Sequence, residues 1–196
     1  MNDAQRIVID QTIRTVRIIE PKKILVNTLI YSGLGLALIY FVTQTIDVFT
    51  AVYILVFALL YSFIRDYAML NQTKKIIRSH FNYILEKKPG AELYTPMMER
   101  TGRGLLLKRA SLFFVQDKLF LEAFRQQAFQ TKPKESITIP YGKDFVITDL
   151  YPESKRNIVI CKGVLMNAPY EFVIINHPML IDRIQSIVDN SYKKEV

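Results

Sequence analysis

Four basic side chains around one predicted turn are the chain's strongest candidates for chemistry with a ligand. Arg100 and Arg103 lie before and within the turn at residues 101–104, and Lys108 and Arg109 follow it. Guanidinium groups donate hydrogen bonds in pairs and therefore suit phosphate, whereas an ammonium group contributes a point charge. We interpret these four residues as a candidate phosphate or lipid-headgroup site. The alternative interpretation is a basic edge that faces solvent or a membrane surface.

Residue types that catalyse reactions or hold metals occur without the spacing that such sites need. His80 and His177 are far apart in the sequence, so no histidine pair has metal-ligand spacing. Cys161 alternates with apolar residues in a predicted strand and is interpreted as a packed core residue. Gly102 and Gly104 lack the Gly-Lys-Ser/Thr continuation of a phosphate loop. We therefore expect no enzymatic activity, no metal and no cofactor.

Two apolar runs, residues 24–43 and 48–64, predict a transmembrane helical hairpin. A hydrocarbon core about 30 Å thick needs roughly 20 mainly apolar residues in helical form. Neither run contains Asp, Glu, Lys or Arg, whereas ion and proton pathways usually carry such a residue. The first run is too long for a cleaved signal peptide, so we expect a retained anchor. An oligomeric channel or transporter lined by Asn27 and Thr28 is the minor alternative for this segment.

Length and cysteine content bound the rest of the chain. With 196 residues and a hairpin of about 40, there is room for one further domain of roughly 100 residues. The single cysteine cannot form an internal disulfide, which favours a reducing compartment such as the cytoplasm. The expected domains are an amphipathic segment at 1–23, the hairpin at 24–64, a helical stalk at 65–90 and a soluble domain at 91–196.

The excess of positive charge lies beside the hairpin. Residues 1–23 carry five Lys or Arg against three acidic residues, and residues 65–88 carry six against two. Basic residues that flank a span mark its cytoplasmic side, so both termini are expected in the cytoplasm and the short loop outside. The predicted membrane-surface anchors are Arg14, Arg17, Lys22, Lys23, Arg65, Lys74, Lys75 and Arg78.

The net charge of +8 does not by itself indicate nucleic-acid binding. Residues 89–196 carry fifteen basic residues against twelve acidic ones, so the soluble domain is close to neutral. Its aromatic residues alternate along predicted strands as core residues do, which differs from an exposed stacking platform. We expect no nucleic-acid partner.

The two segments that flank the hairpin each leave an alternative open. Residues 3–20 place Ile9, Ile13 and Val16 at helical spacing, which fits either a helix on the inner leaflet or a segment packed on the soluble domain. The stalk at 65–90 places Ile77 and Ile84 on an apolar stripe. That stripe indicates either a connector docked on its own domain or a self-association or partner helix.

After Pro89 and Gly90 the pattern changes to that of strands. Six runs rich in β-branched and aromatic residues are separated by turn signals, and an amphipathic helix at 177–190 follows them. The predicted strands are 105–115, 118–125, 136–140, 145–150, 157–165 and 170–175. The fold class expected is α+β, with an antiparallel meander closed by one terminal helix.

The meander resembles the pleckstrin-homology-like (PH-like) superfold in its GRAM-like and bacterial membrane-anchored forms. The resemblance rests on the order of elements, on SITIPYGKDF in the middle, and on NIVICKGVL followed by YEFVIINHPMLIDRIQSIV. It covers about residues 91–190 and implies a β-barrel or sandwich closed by the last helix. The chain departs from the family in a long insert at 125–135 and in having no tryptophan in that helix.

The resemblance and the hairpin together imply a membrane-tethered module. Members of the superfold use cations near the first hairpin to bind phosphoinositide headgroups, which points again to Arg100, Arg103, Lys108 and Arg109. We expect a non-enzymatic protein of a bacterial cytoplasmic membrane whose soluble domain binds another protein at the inner leaflet. Binding of anionic lipid is the alternative, and homo-oligomers are compatible with either.

Overall fold

The computed structural model describes residues 3–16, 21–101, 104–125 and 131–192. The chain divides into two compact units. One unit consists of Met1–Arg17 together with Lys74–Val196, and the other is Ile18–Thr73. Segments from before and after the apolar hairpin therefore contribute to the same unit. The exact domain boundaries expected from the sequence stay predictions.

One apolar helix and most of a second, longer helix form the second unit. Helix α1 is Asp3–Val16, α2 is Pro21–Thr43 and α3 is Val48–Lys87. By length and composition, Ile24–Thr43 and the apolar part of α3 are each able to cross a membrane. Only 11% of the most apolar 18-residue stretch of each helix is buried. These properties support the expected hairpin at the level of helix length and hydropathy.

Asp47 determines where α3 begins. Its Oδ1 accepts a hydrogen bond from the Thr50 backbone N–H at 2.8 Å, and its Oδ2 accepts one from Thr50 Oγ1 at 2.7 Å. An aspartate in this position satisfies a backbone donor that the first helical turn leaves open. The hydrogen bonds from Thr50 also lower the pKa of Asp47. The carboxylate thus caps the helix at the turn of the hairpin.

Small and hydroxyl-bearing residues pack the two apolar helices together. A Cβ atom added to Gly35 would lie 2.9 Å from Cγ2 of Ile54, so the glycine permits this close approach. Thr28 Oγ1 lies 3.5 Å from Ser62 Oγ, and both residues are buried. Each hydroxyl also donates to the carbonyl four residues earlier in its own helix. The polar atoms of the pair are therefore satisfied internally.

Seven strands form one antiparallel sheet in the first unit. They are β1 Ala91–Thr101, β2 Gly104–Val115, β3 Lys118–Arg125, β4 Glu135–Pro140, β5 Phe145–Glu153, β6 Ile158–Leu165 and β7 Ala168–Ile175. The spatial order is β4-β3-β2-β1-β7-β6-β5, and the sheet curls into a half-barrel. Helix α4, Pro178–Tyr192, follows the last strand. The predicted α+β class, the antiparallel meander and the terminal helix are confirmed.

Strand β1 is absent from the sequence prediction. Residues 93–98 are all buried, so the strand shows no alternation between a buried and an exposed side. Its pairing with β2 shifts register between Glu92 and Thr95 and again between Pro96 and Met98. Such irregularities break the two-residue period by which strands are recognised. Strand β5 continues through Glu153, three residues beyond the predicted end at residue 150.

The main hydrophobic core lies between the curled sheet and α4. Its largest side chains come from β2, β5 and β7, including Phe114, Phe145 and Phe172. Helix α4 adds Leu180 and Ile184, both fully buried, and contacts β3 and β5. The closing helix therefore packs between strands from the two ends of the curled sheet.

Helix α1 packs on the sheet, which decides between the two alternatives for the N-terminal segment. Val8, Ile9 and Ile13 are at most 4% exposed, and α1 contacts β1, β2 and β7. Val8 belongs to the main core, whereas Val16 packs against a second cluster that contains Met98. Over residues 3–16, the segment is thus part of the first unit, which contains the sheet.

The end of α3 also packs on the sheet, as expected for a docked connector. Ile77 and Ile84 are buried. The His80 ring stacks on Phe124 at 4.1 Å between centroids, and Phe81 lies 5.4 Å from the Tyr94 ring. The end of α3 therefore contacts β-strand aromatics of its own chain, and both residues of the predicted stripe are buried.

Candidate functional site

The four candidate phosphate-binding residues do not converge on one face of the sheet. Met98 pairs with Leu107, so Arg100 and Arg109, each two residues further along its strand, point to the same face. Lys108 is adjacent to Arg109 in β2 and therefore points to the opposite face. Arg103 lies outside the described residues. The sheet separates the lysine from the two described arginines.

Arg100 makes an ion pair on the face that it shares with Arg109. Its Nη1 lies 3.3 Å from Oε2 of Glu153, and the side chains are 49% and 26% exposed. Arg156 Nε lies 3.8 Å from the other oxygen of Glu153. Two guanidinium groups thus share one carboxylate at the end of β5. Part of the positive charge of Arg100 is compensated within the chain.

The side chain of Lys108 extends from β2 to β7 and contacts Tyr170 and Glu171 of that strand. Its Nζ donates to the backbone oxygen of Glu171 at 3.0 Å and lies 4.3 Å from the centroid of the Tyr170 ring. The ammonium group therefore combines a cation–π contact with a hydrogen bond. Burial raises the pKa of Tyr170, and the negative charge of Glu99 raises it further. Lys108, Tyr170 and Glu99 form a polar cluster between β1, β2 and β7.

Sequence reasoning missed the role of Tyr170 and Glu99. Neither residue is among the candidate site residues that the sequence predicts. Their proximity to Lys108 depends on the pairing of β1 with β7, which joins Met98 to Val173 across 75 positions of sequence. Nothing in the local sequence pattern indicates that pairing.

The predicted membrane-surface anchors are distributed over three helices. Arg14 is exposed on α1 and Lys22 on α2, while Lys75 and Arg78 are exposed on α3 and Lys74 is partly buried. Arg65 Nη1 donates to the Tyr31 hydroxyl within the hairpin. Arg17 lies outside the described residues, as does the side chain of Lys23.

Cys161 and Glu122, whose residue types also occur in catalytic sites, are both buried. Cys161 is fully buried in the main core, and burial raises the pKa of its thiol. Buried Glu122 accepts a hydrogen bond from Thr138 Oγ1 at 2.6 Å. Among the described residues, no group of three or more His, Cys, Asp or Glu side chains is arranged to hold a metal ion.

An aromatic groove on the hairpin is a further feature that sequence reasoning did not single out. It is an open groove of about 380 Å³ lined by Tyr31, Tyr53, Ile54, Phe57, Ala58 and Tyr61. The sequence signal that could have revealed it is the four-residue spacing of Tyr53, Phe57 and Tyr61. Side chains at that spacing lie on one side of a helix.

Comparison of the chain with known protein families, with characterised proteins and with solved structures gives no match. Arguments about function therefore depend on the residues and the geometry described above.

Proposed function

We propose that this chain is a non-enzymatic integral membrane protein whose PH-like soluble unit acts as a membrane-tethered protein-interaction module. The PH-like assignment is supported by the strand order, in which two consecutive meanders join through β1 and β7, and by the packing of α4 against β3 and β5. The bacterial, GRAM-like character of the unit is part of this proposal and derives from the sequence resemblance.

The proposed location is the cytoplasmic membrane, with both termini in the cytoplasm. The two long apolar helices support insertion, and the basic residues that flank them support this orientation. In this arrangement the hairpin confines the soluble unit to the inner leaflet. Confinement raises the effective concentration of the unit toward membrane partners without tight intrinsic affinity.

The observation that carries the choice of a protein partner is the separation of the basic residues. A headgroup pocket needs several cations that converge on one phosphate. Here Lys108 points to one face of the sheet, whereas Arg100 points to the other and is paired with Glu153. A protein partner needs no such convergence, and the soluble unit exposes large apolar side chains, with Ile137 63% and Met166 61% exposed.

The test is purification of the full chain from native membranes in mild detergent, followed by mass-spectrometric identification of co-purifying proteins. The full chain is required because Val8 and Ile77 are buried in the soluble unit but lie outside residues 91–196. Ile137→Asp and Met166→Asp are compared with the polar surface control Gln185→Ala. We expect a stoichiometric protein that at least one of the two aspartate variants releases and the control retains. Identical co-purification by all four proteins would contradict the proposal.

Anionic-lipid binding is the second candidate, favoured by the common orientation of Arg100 and Arg109. It predicts slower amide exchange in β1 and β2 when the full chain is moved from neutral nanodiscs to nanodiscs that contain anionic lipid. Unchanged exchange would remove this candidate.

A channel subunit is the weakest proposal, since Thr28 and Ser62 are buried between the two helices of the hairpin. Conductance of the full chain in planar bilayers is its test.

A further inference from the structure

The aromatic groove on the hairpin runs along one side of α3. Tyr53, Phe57 and Tyr61 follow one another at intervals of four residues, and Arg65 continues the series by one more interval. At 1.5 Å per residue, the distance from Tyr53 to Arg65 is about 18 Å along the helix. One leaflet of a hydrocarbon core about 30 Å thick measures about 15 Å. The groove and its basic end therefore have the length of one leaflet.

The walls of the groove are apolar and wide enough to accept a flexible chain. Phe57 is 58% exposed and Tyr53 is 68% exposed, so both rings present their surface to whatever surrounds the hairpin. Ala58 is buried at the base of the groove, where its small side chain leaves space between the larger rings. The centroids of the Tyr53 and Phe57 rings lie 5.3 Å apart. This surface matches an acyl chain in both polarity and shape.

A cation is attached to the groove through one of its lining residues. The Tyr31 ring meets Tyr61 edge to face at 5.2 Å between centroids. The hydroxyl of Tyr31 accepts a hydrogen bond from Arg65 Nη1, which holds the guanidinium beside the end of the groove. A guanidinium has five N–H donors, so others remain for a second acceptor. Phosphate is an acceptor that such a planar fork recognises well.

We propose that this groove binds one anionic glycerophospholipid, with an acyl chain along Tyr53, Phe57 and Tyr61 and the phosphate on Arg65. The charge complementarity between Arg65 and a lipid phosphate selects this occupant over a second copy of the apolar hairpin. The site requires that the hairpin crosses a membrane. It does not require the soluble unit to bind a protein.

The experiment measures lipid retained by the full chain. The protein is reconstituted in nanodiscs with equal phosphatidylglycerol and phosphatidylcholine, released into mild detergent and examined by native mass spectrometry. Phe57→Ala alters the groove, and Phe63→Ala is its matched control, since Phe63 is 55% exposed on the same helix and does not line the groove. Arg65→Gln alters the phosphate contact, and Lys87→Gln is the control for loss of an exposed basic residue on α3 that is not among the predicted membrane-surface anchors.

The expected result is one retained phosphatidylglycerol per chain. Phe57→Ala and Arg65→Gln should each lower that occupancy about tenfold, while both controls keep it. Equal retention of phosphatidylcholine, equal loss in Phe63→Ala, or full occupancy in Phe57→Ala would overturn the proposal. A lipid-free dimer that Phe57→Ala dissociates would assign the groove to a second copy and also overturn it. Co-purification of protein partners with the Phe57→Ala variant is measured in parallel. If the first unit is a protein-interaction module as proposed, this co-purification should be unchanged.

Discussion

The side-chain amide of Gln5 binds both backbone polar groups of Tyr94. Gln5 Nε2 donates to the Tyr94 carbonyl oxygen at 2.8 Å, and the Tyr94 N–H donates to Gln5 Oε1 at 2.6 Å. Tyr94 lies where the ladder between β1 and β2 shifts register, after Leu93 with its positive φ of 42°. The glutamine supplies the two hydrogen bonds that a neighbouring strand would otherwise provide. It thereby fixes α1 to β1.

Replacing Gln5 should destabilise the unit that contains the sheet. Gln5→Leu would leave the N–H and C=O of Tyr94 without these partners, and each unsatisfied buried group costs about 1–3 kcal/mol. We expect a loss of about 2–4 kcal/mol in the free energy of unfolding, together with faster amide exchange at Tyr94. Gln11→Ala on the same helix is the control, with a change below about 1 kcal/mol. Equal stability of Gln5→Leu and wild type would show that the two hydrogen bonds contribute nothing net.

The guanidinium of Arg183 should stabilise the docking of α4. Its Nη1 lies 3.1 Å from Glu92 Oε2, its Nη2 donates to the Gln116 carbonyl at 2.9 Å, and the group lies 5.0 Å from the Phe114 ring centroid. Arg183→Ala should cost about 1–3 kcal/mol, since hydrogen bonds that involve a charged group are among the stronger ones. Chemical denaturation of the full chain in detergent measures the loss.

The control for Arg183 is an ion pair that is far more exposed. Arg125 Nη1 lies 3.3 Å from Glu135 Oε2, with side chains 84% and 60% exposed. Exposed pairs contribute about 0–1 kcal/mol, so Arg125→Ala should change stability much less than Arg183→Ala. Similar losses for the two variants would contradict the structural role assigned to Arg183.

Alkaline pH should weaken the fold through Tyr94. Burial raises the pKa of this phenol, although the hydrogen bond with Ser111 opposes the shift. A raised pKa in the folded state means that the contribution to stability is complete below the unfolded pKa of about 10 and is lost as pH rises above it. Each pH unit in that window costs about 1.4 kcal/mol for one such group.

The measurement for Tyr94 compares unfolding free energies of wild type and Tyr94→Phe from pH 8 to pH 11.5. The variant should be less stable at pH 8, because Ser111 Oγ loses its acceptor. Above pH 10 the difference between the two proteins should narrow, since the phenylalanine has no proton to lose. Parallel pH profiles would show that another group causes the alkaline loss.

The thiol of Cys161 should resist alkylation until the protein unfolds. Burial raises its pKa and removes it from solvent, so the reactive thiolate is scarce at pH 8. We expect iodoacetamide to label native protein much more slowly than unfolded protein, because the buried thiol is protonated and out of reach of the reagent. Ser154→Cys, at an exposed position, provides the fast control. Rapid labelling of Cys161 in the native protein would mean that the core opens readily.

Regular patterns in the sequence predicted much of this fold. The apolar runs predicted α2 and the first part of α3, because membrane-length hydropathy is a property of consecutive residues. Alternation predicted six strands and 3.6-residue periodicity predicted α4, because each element buries one side. Strand β1 escaped prediction, since residues 93–98 are buried on both sides and two register shifts interrupt its period.

The candidate site was predicted from residue types alone. Residue type does not say which face of the sheet a side chain points to. Arg100, Lys108 and Arg109 are close in sequence, yet the pairing of β1 with β2 places Lys108 on the opposite face from the arginines. The contact of Lys108 with Tyr170 likewise depends on how β7 joins β1. The role of these basic residues in lipid binding stays a prediction.

By itself, the sequence determined the properties that depend on neighbouring residues: two apolar helices, a succession of strands, a closing helix and basic flanks around the hairpin. Only the tertiary structure decided that α1 and the end of α3 belong to the same unit as the sheet, because an apolar stripe fits a membrane surface, a partner helix or the sheet equally well. The same holds for Gln5. Its side-chain amide forms two hydrogen bonds with Tyr94 because a register shift leaves the N–H and C=O of Tyr94 without strand partners. The register shift between β1 and β2 creates that need, and Gln5 lies 89 positions away, so the local sequence pattern does not encode the contact.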